Sequence, residues 1–388
     1  MKATTIVKTS TLGLLIAAAA VLAGPVARPI QACGVPEDYK PAPQAIDLAI
    51  CLDTSGSMSG LLNSAKQKLW DIVNDLAMAE PAPKLRVALL TFGNLGYEAE
   101  NGWVSVDSEL TDDLDAVSQK LFALGTNGGT EYVGRVLQYA GQLDWHPSDS
   151  ALKLIVVAGN ESADQDREAP FRKMCGELIA RGVMVNSIYC GPVHDGVAPG
   201  WMEVAELAEG QFASIDQDNG TKVVVTPFDS ELATLSTALN ETYLPFGARG
   251  QAGLANQSAQ DANAESLNSA CSASRAVTKS QSLYYCSWDL VDACGSGKVK
   301  LDDVSADELP DKMQSMTIIQ RRTYVTEMGR RRTETQDRIK QISSKRAAWV
   351  SEEMLRQATD DSNSLDNAIR SAIRGQAGSK GFTFKDGC

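Results

Sequence analysis

Positive charge is scarce in this 388-residue chain, which sets 36 lysines and arginines against 49 aspartates and glutamates. The deficit is local: residues 33 to 245 carry 13 positive against 31 negative side chains, while residues 246 to 388 carry 20 against 18. A middle region at −18 excludes nucleic acid and anionic membrane surfaces as partners, because both are held by clustered Lys and Arg. Only two histidines occur, His146 and His194, and no Cys-x-x-Cys pair, so a structural zinc site is excluded. Beyond the N-terminus no apolar run approaches the ~20 residues that span a bilayer. Also missing are a phosphate-cradling Gly-rich loop ending in Lys-Ser/Thr, a Gly-x-Ser-x-Gly nucleophile elbow and any repeat of solenoid length.

What is present begins with a secretory signal. Lys2 and Lys8 precede an uncharged run from Thr11 to about Ala27, with cleavage after Ala23 or Ala32, so residues 1–32 are read as a signal peptide and the mature protein as secreted or periplasmic. Ile30-Gln31-Ala32-Cys33 comes near a lipobox, which would put a lipid anchor on Cys33. All eight cysteines lie beyond the signal, where an oxidising compartment favours disulfides. Cys51 and Cys190 fall in apolar runs and read equally well as small buried hydrophobes.

After a Pro-containing linker at 33–45, apolar runs of strand type alternate with helical patterns, which predicts an α/β fold with a doubly wound, mostly parallel sheet. Strands are expected at 46–52, 85–92, 103–110, 152–157, 183–189 and 211–215. Helices are expected at 61–78, 111–123, 131–142, 170–181, 201–208 and 229–242, closing the unit at 243. Residues 244–270, rich in Gln, Asn, Ala and Ser, read as a polar linker or a polar helix. The rest, 271–388, reads as a mainly helical region, with helices at 299–308 and 317–357. Arg330-Arg331-Arg332 lies among Glu327, Glu334 and Asp337 and reads as a solvated helix face.

The first strand runs into Asp53-Thr54-Ser55-Gly56-Ser57 directly before a long amphipathic helix. Ligands of open α/β sheets bind at the carboxyl ends of strands, where these side chains fall. One carboxylate and two hydroxyls are hard oxygen donors suited to Mg²⁺ or Mn²⁺. The same run can also form an Asx-turn and helix cap with no metal. Placed so, Asp53-x-Ser55-x-Ser57 with Met58 resembles the metal-ion-dependent adhesion site of von Willebrand factor type A domains. Gly128-Gly129-Thr130 resembles the loop from which that family supplies a metal-binding threonine, implying Thr130 as ligand with Thr126 as the fallback. The stretches 186–191, 207–208 and 210–212 extend the likeness over residues 46 to 243.

The resemblance breaks at the third loop, where the family usually has Thr-Asp-Gly and this chain reads Ala158-Gly159-Asn160-Glu161. Asn160 or Glu161 would fill the missing aspartate's place, with Asp164 more distant. Gly-Asn-Glu, Trp288-Asp289-Leu290-Val291-Asp292-Ala293 and Gly381-Phe382-Thr383-Phe384 are similar to a bacterial secreted branch of the family.

Enzyme chemistry finds no support in these residues. An aspartyl-nucleophile phosphatase needs an acid at position 55, where this chain has Ser55, and no feature of the sequence activates Cys190 beside His194. The expected function is therefore non-enzymatic: binding of a protein or other acidic ligand through a divalent ion held by Asp53, Ser55, Ser57, Thr130 and Glu161 or Asn160. The alternative is a metal-free envelope scaffold that self-associates through its C-terminal helices. A hydrolase with an unrecognised site ranks third.

Overall fold

The strand-helix alternation becomes a six-stranded sheet. The structure, a computed structural model, describes residues 45–216, 223–356 and 364–384. The expected signal, the lipobox at Cys33 and the terminal Cys388 lie outside the described residues. In chain order the elements are β1 (Ala45–Asp53), α1 (Ser59–Ala77), β2 (Ala79–Glu80), β3 (Lys84–Phe92), β4 (Val104–Thr111), α2 (Leu114–Ala123), α3 (Val133–Gly141), β5 (Leu152–Gly159), α4 (Phe171–Ile179), β6 (Val183–Tyr189), α5 (Ala198–Leu207) and β7 (Phe212–Ser214). There follow α6 (Asp229–Asn240), α7 (Gly250–Leu267), α8 (Ser269–Ser280), α9 (Leu290–Gly295), α10 (Asp311–Gln314), α11 (Ile318–Arg356), α12 (Leu365–Ala377) and β8 (Thr383–Phe384).

The sheet order is β4-β3-β1-β5-β6-β7, with β4 antiparallel at one edge and every other pairing parallel. A parallel strand is buried on both faces, so β1 is apolar almost throughout, and its alternating side chains serve two cores. Ile46, Leu48, Ile50 and Leu52 join α1 and α2 on one side; Ala49 and Cys51 join α3, α4 and α5 on the other. Its one buried acid before the strand end, Asp47, is paired with Arg86 on β3 at 2.7 Å and accepts the His146 N–H at 2.7 Å.

The helix expected to close the sheet at 229–242 does something else. α6 buries Leu232 and Leu239 against α8 and α11, away from the sheet. The first face of the sheet is completed instead by α12, whose Leu365, Ile369, Ile373 and Ala377 pack into the β1, β3 and β5 core, followed by Phe382. β8 then pairs with β2 beside α1. The α/β layer is thus built from two separated stretches of chain, with residues 223–356 set between its last strand and its last helix. The expected boundary at 243 does not divide the structure, and the described residues fall in one packed unit.

One open reading is decided and two further expectations are corrected. The stretch read as linker or polar helix is the latter: α7 buries Gln257 and Gln260, and Ser118 on α2 donates to Gln260 Oε1 at 2.9 Å. The helix expected at 299–308 is only two short 3₁₀ turns, Leu301–Asp303 and Ala306–Glu308. The six described cysteines are all free thiols, so the disulfides expected of an oxidised chain do not form among them. Cys51 and Cys190 are buried in the two cores, and burial pushes both thiols well up.

Buried ions join the helical region to the sheet layer. Arg275 on α8, 1% exposed, pairs with Asp115 on α2 at 2.5 Å and with Asp261 on α7 at 2.9 Å, and lies over the Trp70 ring. Lys279, one turn on, reaches Asp261 at 2.6 Å and Asn240 at 2.7 Å; burial lowers its ammonium to about 8. The Tyr284 hydroxyl donates to Asp115 at 2.6 Å. Arg332 pins α11 to α9 within the helical region and corrects the solvated-face expectation. Arg330 and Arg331 do pair at the surface, but Arg332 is buried against Asp289 at 2.7 Å and Asp292 at 2.6 Å, with its other amine on the Thr242 carbonyl. Asp289 also caps α9 and accepts the Leu244 N–H, so the Trp288–Ala293 motif is a structural corner.

Two outcomes follow from this construction. A fragment of residues 45–243 leaves the face normally covered by Leu365, Ile369 and Ile373 open, each worth ~1.5–3 kcal/mol. It should fail to give a cooperative thermal transition, whereas the full chain should unfold cooperatively. Arg275→Ala leaves Asp115 and Asp261 short of a buried partner and should cost about 3–5 kcal/mol in urea titration.

Candidate functional site

The site forms where β1, β3 and β5 end together. β1 terminates at Asp53, and the next residues turn sharply into α1: the Ser55 N–H donates to Asp53 Oδ1 at 2.7 Å, the expected Asx-turn. The expected helix cap is not made. Met58 occupies the N-cap of α1, and no side chain caps it. The hydroxyls of Ser55 and Ser57 therefore remain beside the carboxylate, 3.4 Å from each other.

The second loop is drawn onto this turn by the backbone. Asn127 N–H donates to the Thr54 carbonyl at 3.0 Å and Leu95 N–H to the Gly128 carbonyl at 3.1 Å. Asn94 Nδ2, on the loop after β3, reaches the Gly125 carbonyl at 3.1 Å. Gly129 passes so close to Gly93 that a Cβ there would lie 2.2 Å from the Gly93 carbonyl oxygen, which only glycine permits. Thr130 follows, half-buried, in the segment leading to α3, while Thr126 sits farther back in the same loop.

At the third loop Asn160 takes the position next to the turn, its Nδ2 donating to Ser57 Oγ at 3.1 Å. Glu161 is exposed; its carbonyl accepts the Trp201 indole N–H at 2.8 Å. Asp164 is held by Arg172, which also grips Glu203. The structure thus brings Asp53, Ser55, Ser57 and Asn160 into contact and sets Thr130 on the adjoining loop, while Asp164 is engaged elsewhere.

One carboxyl neighbour was not singled out from sequence. Glu131, half-buried just before α3, sits so near that a Cβ at Gly93 would lie 2.9 Å from Asp53 Oδ1 and 3.0 Å from Glu131 Cγ. Only its place one residue after Thr130 hinted at it. Gly93 itself has φ +76°, a conformation that glycine adopts without strain.

Asp53 is 1% exposed, and its Oδ2 has no hydrogen-bond partner among the described residues; the buried Asn160 Oδ1 has none either. Burial pushes the Asp53 carboxyl up to about 7, the hydrogen bonds from Ser55 pull the other way, and the Glu131 charge adds to the rise. Burial likewise raises Glu131, and Glu161 reinforces it. An unpaired, desolvated carboxylate amid hydroxyls is costly to fold and suited to a hard divalent cation. The residues therefore fit such an ion, with Asp53, Ser55, Ser57 and the loop carrying Thr130 as its holders. The ion would supply positive charge to neutralise Asp53 and to attract an anionic group.

The thiol reading fails at its two residues. Cys190 is buried with its thiol raised far from reactivity, and His194 lies exposed in a loop.

The raised Asp53 has a thermodynamic consequence. Its carboxyl binds a proton more tightly folded than unfolded, so in chelator the stability it contributes is present below pH ~4 and lost as the pH rises through about 7. Asp53→Asn should accordingly stabilise the protein at pH 8 in EDTA by about 1–3 kcal/mol, measured by urea denaturation.

The von Willebrand factor type A domain family model matches residues 48–160, short of the span to 243 over which the sequence resembles that family. No curated protein matches the chain. Similar solved structures include the von Willebrand factor type A protein from Catenulispora acidiphila, 19% identical over 45% of this chain and 39% of that one, with a TM-score of 0.35. Proximal thread matrix protein 1 from the mussel byssus, with a zinc-occupied MIDAS motif, is 16% identical over 46% of this chain and 43% of that one, TM-score 0.35. The SpRpn10 VWA domain is 16% identical over 47% of this chain and 100% of that one, TM-score 0.35. The chain thus spans about two fifths of the first of these and somewhat more of the second. The family match places the likeness to von Willebrand factor type A domains on residues 48–160, the stretch that contributes β1, β3, β4 and β5 of a parallel sheet with a single antiparallel edge strand.

Proposed function

We propose that the protein is a non-enzymatic binding module that holds Mg²⁺ or Mn²⁺ at the end of β1 and uses it to capture a protein or other acidic ligand. The observation that carries this reading is the buried Asp53 carboxylate, with one oxygen in the Asx-turn and the other without a partner, beside the Ser55 and Ser57 hydroxyls. A few side-chain oxygens on one face of the cation leave coordination positions open to solvent, and a hard cation fills them best with an anionic oxygen from outside. The surrounding region is strongly acidic, so an acidic partner would be repelled unless a cation stood between them. The signal-like residues 1–32 support a place for the module in the periplasm or the surrounding medium, and the near-lipobox at Cys33 supports a lipid anchor there. Among the described residues no helix is long and apolar enough to cross a membrane. The helical region of α6 to α11 serves as a spacer or assembly surface.

Calorimetric titration of the full chain with Mg²⁺ and Mn²⁺ tests the reading. Saturable binding is expected for wild type and none for Asp53→Ala; equal heats for the two proteins would overturn it.

A further inference from the structure

We propose that Glu131 is the second carboxylate of the cation site and supplies the charge that Asn160 lacks at the third loop, an inference that rests on the metal-binding reading above. An ion of charge +2 in a desolvated pocket with Asp53 as its single anion would keep an uncompensated charge, which is expensive at low dielectric. The third loop does not relieve it. Asn160 brings a neutral amide to Ser57, and Glu161, the acid beside it, is exposed and anchored through its main chain to Trp201.

Glu131 is placed to do so. The hypothetical Cβ of Gly93 bridges Asp53 Oδ1 and Glu131 Cγ, at 2.9 and 3.0 Å, so these two atoms can be no farther apart than the sum of those distances. Ser55 is at the same place: its main-chain N–H donates to Asp53 Oδ1 at 2.7 Å, and its Cβ lies 3.6 Å from the Gly93 Cβ position that both acids approach. Gly93 leaves room for the two acids to approach where any side chain would separate them. Among the described residues neither Asp53 nor Glu131 makes an ion pair with an arginine or lysine, although the other buried aspartates, Asp47, Asp75, Asp115, Asp166, Asp229 and Asp289, all do. Two neighbouring carboxyls left without a counter-ion, one of them buried with an unpartnered oxygen, define a place for a cation from solution. The approach of Glu131 depends on tertiary structure, because it comes through the loop that Gly129 lays across Gly93.

The test is Mn²⁺ titration of the full chain by calorimetry, with the Mn²⁺ electron paramagnetic resonance signal as a second measure of free ion. Glu131→Gln keeps the side-chain shape, and its thermal transition in EDTA reports whether it folds. It should bind Mn²⁺ about 10–100-fold more weakly than wild type. Adding Asn160→Asp to that variant restores the number of carboxylates and should recover most of the loss. If Glu131→Gln binds as wild type does while Asp53→Ala does not bind, the role of Glu131 is overturned and the metal site stands. If wild type itself takes up no Mn²⁺, both are overturned.

Discussion

A sheet with five mutually parallel strands is buried on both faces, and this chain meets that requirement with residues far apart in sequence. One face is covered from within the run of strands and helices, by α3, α4 and α5. The other would lie partly open after β7 if α12 did not return to it, because α6 is committed to α8 and α11. The helical region therefore cannot be an appendage hung on a finished domain. The sheet whose strand ends form the candidate site is complete only when the chain has passed through that region and come back.

Charge burial is handled in two opposite ways. Arg275 ties the helical region to α2 of the sheet layer, and within the helical region the buried Lys279 and Arg332 are likewise matched with aspartates and with carbonyl or amide oxygens. Such networks contribute little net stability over apolar packing, yet removing one partner is costly, so they fix which surfaces meet. At the end of β1 the same chain buries Asp53 with one oxygen unsatisfied and sets Glu131 beside it. The contrast within one molecule gives the site its functional character, since stability alone would favour a partner there too.

Backbone geometry turns this arrangement into a site. Gly93 and Gly129 let two loops approach the end of β1 closely enough for main-chain hydrogen bonds to Thr54 and Gly128. Asp53, Ser55 and Ser57 are local to one turn, while Thr130, Glu131 and Asn160 arrive from elsewhere in the sheet, through loops after α2 and β5.

The sequence by itself determined the alternating order of strands and helices, the apolar β1, the Asp53-Thr54-Ser55-Gly56-Ser57 turn at its end and the long α11, because these rest on periodicity and on contacts a few residues apart. Periodicity also showed α6 to be a helix and marked none at α12, and a helical pattern carries no record of the surface it covers. Only the tertiary structure decided that α12 completes the sheet, that Arg332 is buried while Arg330 and Arg331 are not, that Asn160 faces Ser57 while Asp164 turns to Arg172, and that Glu131 stands by Asp53. Each of these depends on which distant segment lies opposite, and that is settled by the burial of both faces of one sheet.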